Sequence, residues 1–389
     1  MVFQNNLLMG AASAQDGGGS GQLWAWGANW QGRLGIGSTT FKSSPVQVGS
    51  DEDWISVSGA SANGVAGATR SDGTIWVWGG DNYGAMGQGT LGQKSSPTQI
   101  GSDTNWFQLR QGVDSTYALN NDGELWFCGN NNYGQGGQGN TDQTYSSLTQ
   151  IGSLTDWKGS MTQDDINDGF STWSPMSYGM LIIKSDGTLW AWGRNSSGNI
   201  GDGTTTNRSS PVQIGSDTDW QWVSVQSYHT VAQRTDGSIW VWGVNTEGQL
   251  GLGTIGAEHN KSSPVQLGSI TDYKHFGAGY KVTSLIKADG TLWMCGENTY
   301  GQLGTGNTTN YSSPVQIGSD TDWHRVLPGY NYWGATKTDG TIWVWGHNAY
   351  GELGQGDTTN RSSPVQIGSD TDWGNNMGGV YYSNNIRGL

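Results

Sequence analysis

What this chain has little of sets the first bounds. Only 13% of its 389 residues are charged, and 18 Lys and Arg face 32 Asp and Glu, a formal net charge of -14. Phosphate backbones are held by clustered basic side chains, so a scattered minority of cations argues against a nucleic-acid partner. The same sign offers no attraction to anionic lipid. Apolar runs are short, "GMLII" at Gly179–Ile183 being about the longest, so no membrane insertion is expected. Two cysteines, Cys128 and Cys295, cannot build a disulfide framework. The opening "MVFQNNLLMGAASA" ends like a cleavage signal but has no basic n-region, the first basic residue being Arg33. A secretory signal is therefore the weaker reading.

What the chain has in excess is glycine, 65 residues, and tryptophan, 22. Glycine alone would point to a low-complexity chain, but the indoles recur at fixed spacing and each buries enough apolar area to anchor a core. Segments of the type "LWAWG" end at Trp26-Gly27, Trp78-Gly79, Cys128-Gly129, Trp192-Gly193, Trp242-Gly243, Cys295-Gly296 and Trp345-Gly346. Both cysteines replace the second Trp of this segment. Equivalent positions in non-adjacent repeats lie apart, so both are expected to be free and buried.

Each copy carries the same punctuation. An Asp-Gly hairpin signal precedes a period-2 strand with both Trp on one face. A Gly-rich loop such as "ENTYGQLGTGNTT" follows, then the Pro-containing strand "SSPVQIGS", suited to a sheet edge. After "DTDW" a variable stretch leads to the next Asp-Gly. About four short strands in a repeat of about fifty residues describe a propeller blade. The tail "GGVYYSNNIRGL" aligns with "PGYNYWGATKTDG" and stops at Leu389, in the column where Ser20 begins. The expected fold is therefore all-β: a seven-bladed β-propeller closed by pairing of N- and C-terminal strands in one shared blade. Residues 20–389 form the propeller, and 1–19 an anchoring peptide with a Gly-rich spacer.

The pattern "DGTLWAWGxNxxGQLGxG…PVQ" resembles the repeat of the regulator of chromosome condensation family, over roughly Ser20–Leu389. That resemblance implies a seven-bladed ring closed by both termini. It leaves function open, because the same fold serves exchange factors, enzyme inhibitors and interaction modules.

Catalytic signals are weak. "GQLGTG" and "GELGQG" lead into a Pro-initiated strand rather than a helix, so they are not phosphate-binding loops. None of the five His pairs with another at metal-ligand spacing. Members of the family often carry His in a "GxxHT" turn, and this chain has one such residue, His229, so guanine-nucleotide exchange is not carried over. Asp164, Asp165 and Asp168 lie in the single insertion and match a calcium loop only in part. No catalytic group and no cofactor are expected.

Variation among the copies concentrates between "DTDW" and the next Asp-Gly, whose turn belongs beside the channel and the Gly-rich loop. Aromatics collect there: Trp173, Tyr178, Tyr228, Tyr280, Tyr330, Tyr332, Trp333, Tyr381 and Tyr382, with His229. Tyr and Trp among Ser, Gly and Asn make good recognition surfaces. This face is the expected ligand-binding face, some of the rings serving the core instead. Residues 1–19 resemble N-terminal peptides of structural and tail proteins of marine phages. Val2, Phe3, Leu7, Leu8 and Met9 give that segment apolar surface to bury against a partner.

The expectation drawn from all this is a non-enzymatic propeller docked on other structural subunits of an oligomeric assembly by residues 1–19. The favoured setting is a virion or extracellular surface, where the aromatic face takes a host glycan or host protein. The alternative is a soluble protein-binding propeller, inhibitor-like or exchange-factor-like.

Overall fold

The computed structural model describes residues 7–11, 21–59, 64–141, 144–157, 171–369 and 371. They form antiparallel sheets joined by short turns, with two single-turn 3-10 segments, Trp30–Gly32 and Ala257–His259, and no α-helix among the described residues. One unit shows the design. Strands Trp220–Val225, His229–Arg234, Ile239–Gly243 and Lys261–Gln266 pair in sequence order. The third strand, "IWVWG", is buried except for its first Trp, which is half-buried. The fourth, "KSSPVQ", is nowhere buried and is exposed at two positions, as an outer strand should be.

Neighbouring sheets meet through their first strands, which places those strands at the ring's axis. The backbone N–H of Gln111 donates to Ser58 Oγ (2.8 Å), that of Val225 to Ser174 Oγ (3.2 Å) and that of Ala278 to Ser224 Oγ (3.0 Å). These hydroxyls pair backbone groups that would otherwise be buried without partners between sheets.

The second Trp of "LWAWG" ties each sheet to the Gly-rich loop of the sheet before it. Trp78 Nε1 donates to the Arg33 carbonyl, Trp192 to Gln135, Trp242 to Asn199 and Trp345 to Gln302, all at 2.9–3.0 Å. Trp26 donates to Glu352 O at 3.1 Å, so the last loop grips the first complete "LWAWG" strand and the ring closes. Where Cys replaces Trp, the thiol takes the same post: Cys128 Sγ lies 3.5 Å from Ala85 O and Cys295 Sγ 3.9 Å from Gln249 O. Both cysteines are free and buried, as the repeat frame implied. Glycine is required at this seam. Gly201 holds φ +91°, and a Cβ there would stand 2.7 Å from Trp242 Nε1.

Among the described residues, the expected seven complete blades are corrected to six sheets of four strands; the sheet containing Leu23–Gly27 has three. The strand beside Leu23–Gly27 is Leu7–Ala11, antiparallel with Leu7 opposite Gly27. It takes the place that the repeat comparison had given to the C-terminal tail. The physical reason is the open edge of Leu23–Gly27, whose unpaired backbone groups accept any extended segment within reach. Residues 372–389, with Tyr381 and Tyr382, lie outside the described residues, as do Val2 and Phe3.

The Trp-to-carbonyl ties carry a stability prediction. Trp345→Phe leaves Gln302 O buried without its donor, and the expected loss is about 1–3 kcal/mol in a denaturant titration. An unchanged midpoint and slope would show that the tie is incidental.

Candidate functional site

The first-to-second-strand turns and the Gly-rich loops share one face of the ring. The junction is fixed by backbone bonds: Arg194 N–H donates to Tyr178 O (2.8 Å) and Val244 N–H to Tyr228 O (2.9 Å). The loops are held from within by a buried Asn column. Asn298 Oδ1 accepts from Leu303 N–H at 2.9 Å, and its Nδ2 donates to the carbonyls of Asn307 and Thr309, each at 3.0 Å. Asn195 and Asn348 repeat the pattern. Polar residues that fold as flexible loops elsewhere are here pinned by buried amides, so the side chains they carry stand on a rigid base.

Val113, Tyr178, Tyr280 and Tyr330, from four different sheets, pack into one cluster at the channel mouth. Tyr280 stacks on Tyr330 with centroids 3.7 Å apart and rings 24° from parallel, and Tyr228 meets Tyr280 edge-on at 6.0 Å. Tyr178 lies 5.1 Å from Tyr133, with the Arg194 guanidinium 5.2 Å from Tyr133 and 5.7 Å from Tyr178. Burial raises the Tyr178 phenol to about 12, aided by nearby Asp114. Lys281 faces the Tyr280 ring at 5.4 Å and ion-pairs with Glu247 at 3.1 Å. The mouth is thus a floor of tyrosines with two cations set among them. It combines contact area and hydroxyl groups with two cations, of which Lys281 is matched by Glu247 and Glu297 at 3.1 and 3.9 Å.

The structure separates the expected face residues into two groups. Tyr178, Tyr228 and Tyr280 are half-buried and open to solvent at the mouth, while Tyr330 is buried beneath Tyr280. Trp173, Tyr332 and Trp333 are fully buried and belong to the interior. Trp173 donates through Nε1 to Gln108 Oε1 at 3.0 Å. Tyr332 and Trp333 are interior because second strands, such as Tyr332–Lys337, are covered on both faces, and Trp173 lies on a first strand, Trp173–Met176, that is buried throughout. Sequence reasoning missed the loop tyrosines Tyr83, Tyr133, Tyr300 and Tyr350, which surround the same face. Their column inside "NTYG" and "NAYG" was visible but read as part of the constant loop. Asp164, Asp165 and Asp168 lie outside the described residues, and among the described residues no metal-ligating group of three His, Cys, Asp or Glu is found.

His229, the one family-like His of the turn, is fully buried, and its Nε2 lies 2.9 Å from Thr283 Oγ1. That hydroxyl gives its own hydrogen to Gln249 O (2.7 Å), so Nε2 carries the ring proton and donates. Burial holds the imidazole neutral, with a pKa lowered from 6.5 to about 3. A neutral, enclosed ring is a structural joint between the sheets rather than an acid–base group at the surface.

Fold and site together define an all-β repeat propeller whose constant ring presents an aromatic mouth. The "Regulator of chromosome condensation (RCC1) repeat" matches residues 20–66, 72–119, 186–233, 236–286, 289–327 and 339–379. The chain belongs to that family. The ultraviolet-B receptor UVR8 of Arabidopsis thaliana is 26% identical over 202 residues, which are 50% of this chain and 42% of the receptor. This chain therefore matches less than half the length of that relative. Among solved structures, Prp20p from Saccharomyces cerevisiae, studied for its binding to Gsp1p and histones, has a TM-score of 0.79 at 16% identity, covering 98% of this chain and 91% of Prp20p. Human WBSCR16 has a TM-score of 0.73 at 18% identity, covering 94% of each chain. At these identities the likeness shows the fold alone.

The depressed His229 pKa sets a pH dependence. Between pH 6.5 and about 3 the unfolded chain takes up a proton that the folded chain refuses, so stability falls as pH falls through that window. The slope from this group is up to about 1.4 kcal/mol per pH unit. His229→Gln keeps a side-chain donor near Thr283 and should lose about 2–3 kcal/mol less than the parent between pH 7 and pH 4.5. Parallel stability–pH curves for the two proteins would refute the assignment.

Proposed function

We propose that this chain is a non-catalytic, protein-binding propeller that takes its partner on the tyrosine-rich mouth. The observation that carries the reading is the set of half-exposed rings Tyr178, Tyr228 and Tyr280, flanked by Arg194 and Lys281, on turns that lie beside the Asn-locked loops and are bonded to them at Tyr178 and Tyr228. Rigid aromatic anchors beside cations are the side chains that dominate protein interfaces. Their pre-set position lowers the ordering cost of binding. Relatives of the fold support the class: Prp20p was studied for binding to Gsp1p and histones, and yeast RCC1 (Prp20) has been solved bound to Kap60.

A narrower form of the reading, exchange-factor-like contact with a small GTPase, draws on Prp20p alone. The reading of residues 1–19 as a handle that mounts the propeller on a virus particle draws on no relative. The pairing of Leu7–Ala11 with Leu23–Gly27 favours a role for that segment within the ring itself.

The test uses the full chain and the variant Tyr178→Ala/Tyr228→Ala/Tyr280→Ala as baits in the same extract. Partners enriched by the parent should fall at least about tenfold with the variant, since hot-spot rings contribute about 2 kcal/mol or more each. The melting temperature should change little, whereas Trp333→Ala should cost about 3–5 kcal/mol. An identical partner set for parent and triple variant would overturn the proposal. Nucleotide release from Gsp1p, with and without the chain, separates exchange activity from plain binding.

A further inference from the structure

On the opposite face, two residues before each Asp-Gly turn, the repeats keep a cation. Arg70 stands 4.4 Å from the Trp54 ring and 4.0 Å from the Trp76 ring. Lys184 lies at 4.7 and 4.5 Å from Trp157 and Trp190, Arg234 at 4.5 and 4.2 Å from Trp220 and Trp240, and Lys337 at 4.9 and 4.8 Å from Trp323 and Trp343. Lys287 lies 4.0 Å from Trp293. Carboxylates complete four of these cages: Asp51 and Asp53 for Arg70, Asp156 for Lys184, Asp217 and Asp219 for Arg234, Asp320 and Asp322 for Lys337. A cation between two indole faces and beside a carboxylate is a favourable, partly desolvated arrangement.

One four-stranded sheet departs from the rule. Trp106 and Trp126 keep the edge-on geometry of the other pairs, 6.1 Å apart. The residue opposite Trp106 in the register is Asn120, where Arg70 stands opposite Trp54 and Arg234 opposite Trp220. Asn120 donates to Glu124 Oε2 at 2.7 Å. Of the two column carboxylates, such as Asp217 and Asp219 beside Arg234, one is retained as exposed Asp103 and the other is Asn105, while Glu124 supplies a carboxylate from a position where five other repeats have Thr or Ser. Those hydroxyls accept from the adjacent indole, as Thr74 does from Trp76 Nε1 at 2.8 Å and Thr341 from Trp343 Nε1 at 3.0 Å. Trp126 Nε1 is buried with no such partner. Between these groups lies an open groove of about 640 Å³, lined by Asp103, Trp106, Asn120, Glu124 and Trp126 among others.

We infer that this groove is a receptor for an organic cation: the guanidinium or ammonium head of an Arg or Lys side chain presented by a partner protein. The walls and one carboxylate are those that hold an internal Arg or Lys in other sheets. Here the internal side chain is replaced by a shorter neutral one, and Glu124 restores a second carboxylate where the column's own is Asn105. A side chain on an aliphatic stem fits better than a bare ion, because the indole walls offer apolar surface to the stem as well as a π face to the head. Arg fits best, since its planar head stacks on a ring while donating to a carboxylate. This site is separate from the tyrosine mouth and does not depend on it.

The test follows the indole resonances of the full chain labelled with 15N-Trp, assigned by Trp126→Phe. N-acetyl-arginine amide and N-acetyl-lysine amide are titrated in, with N-acetyl-glutamine amide as the neutral control. The expected result is a saturable shift of the Trp106 and Trp126 signals in the millimolar range for the two cations and none for the control. In Asn120→Arg the chain's own guanidinium fills the cage, so the shift should vanish and the melting temperature should rise. Glu124→Gln, which keeps the side chain's shape, should weaken binding several-fold. No saturable shift in the parent, or an undiminished response in both variants, would overturn the inference. A cation response that survives in Tyr178→Ala/Tyr228→Ala/Tyr280→Ala locates it away from the mouth.

Discussion

One hydrogen bond, repeated around the ring, sets what the rest of the structure can be. A buried indole N–H from each "LWAWG" strand donates to a carbonyl in the preceding sheet's Gly-rich loop, and Trp26 closes the circuit on Glu352. The bond fixes a bulky side chain in the strand and a glycine, such as Gly201, where the loop passes over the indole. It also explains why Cys128 and Cys295 are tolerated in the same column, since a buried thiol can face the same carbonyl. A sheet with one edge at the axis cannot stand alone; its faces are covered only by its neighbours. The ring is therefore constrained as a whole, and its repeated residues are repeated for that reason.

The framework so fixed leaves few positions free. The Asp-Gly-Thr turn is one of the locked parts: Asp339 Oδ1 accepts from the Thr341 N–H and hydroxyl, and Thr341 Oγ1 accepts from Trp343 Nε1. These bonds pull the turn carboxylates below their usual range, as for Asp339 and Asp186. What remains free lies in the first-to-second-strand turns, at the loop tips and in single departures such as Asn120. The tyrosine mouth and the Trp106–Trp126 groove arise where the repetition is relaxed.

Much of the architecture was legible in the chain. Trp spacing, Asp-Gly turns and the Pro-bearing outer strand were enough to read four-stranded blades, and the fate of both cysteines followed from their column. The count of complete blades and the strand beside Leu23–Gly27 were not legible. An open sheet edge accepts any extended segment, and the sequences of Leu7–Ala11 and of the tail both read as strand. The site was read in part. Tyr178 and Tyr228 stand at the mouth, but Tyr332 and Trp333 are interior because the second strand is covered on both sides. No alternation of polar and apolar residues marks such a strand, so its sequence does not tell inward from outward. The missing cation at Asn120 is plain in the sequence column, yet it has meaning only beside the two indoles that the register sets against it.

The central claim is that the latching indoles make the ring one cooperative unit. Hydrogen exchange of the 15N-Trp side chains measures this directly. The Nε1–H groups of Trp26, Trp78, Trp192, Trp242 and Trp345 should exchange together, at the rate of global unfolding, and more slowly than the half-buried Trp76, Trp240 and Trp343. Latch indoles that exchange one by one at separate, faster rates would show sheets opening independently, and the account of a mutually locked ring would be contradicted.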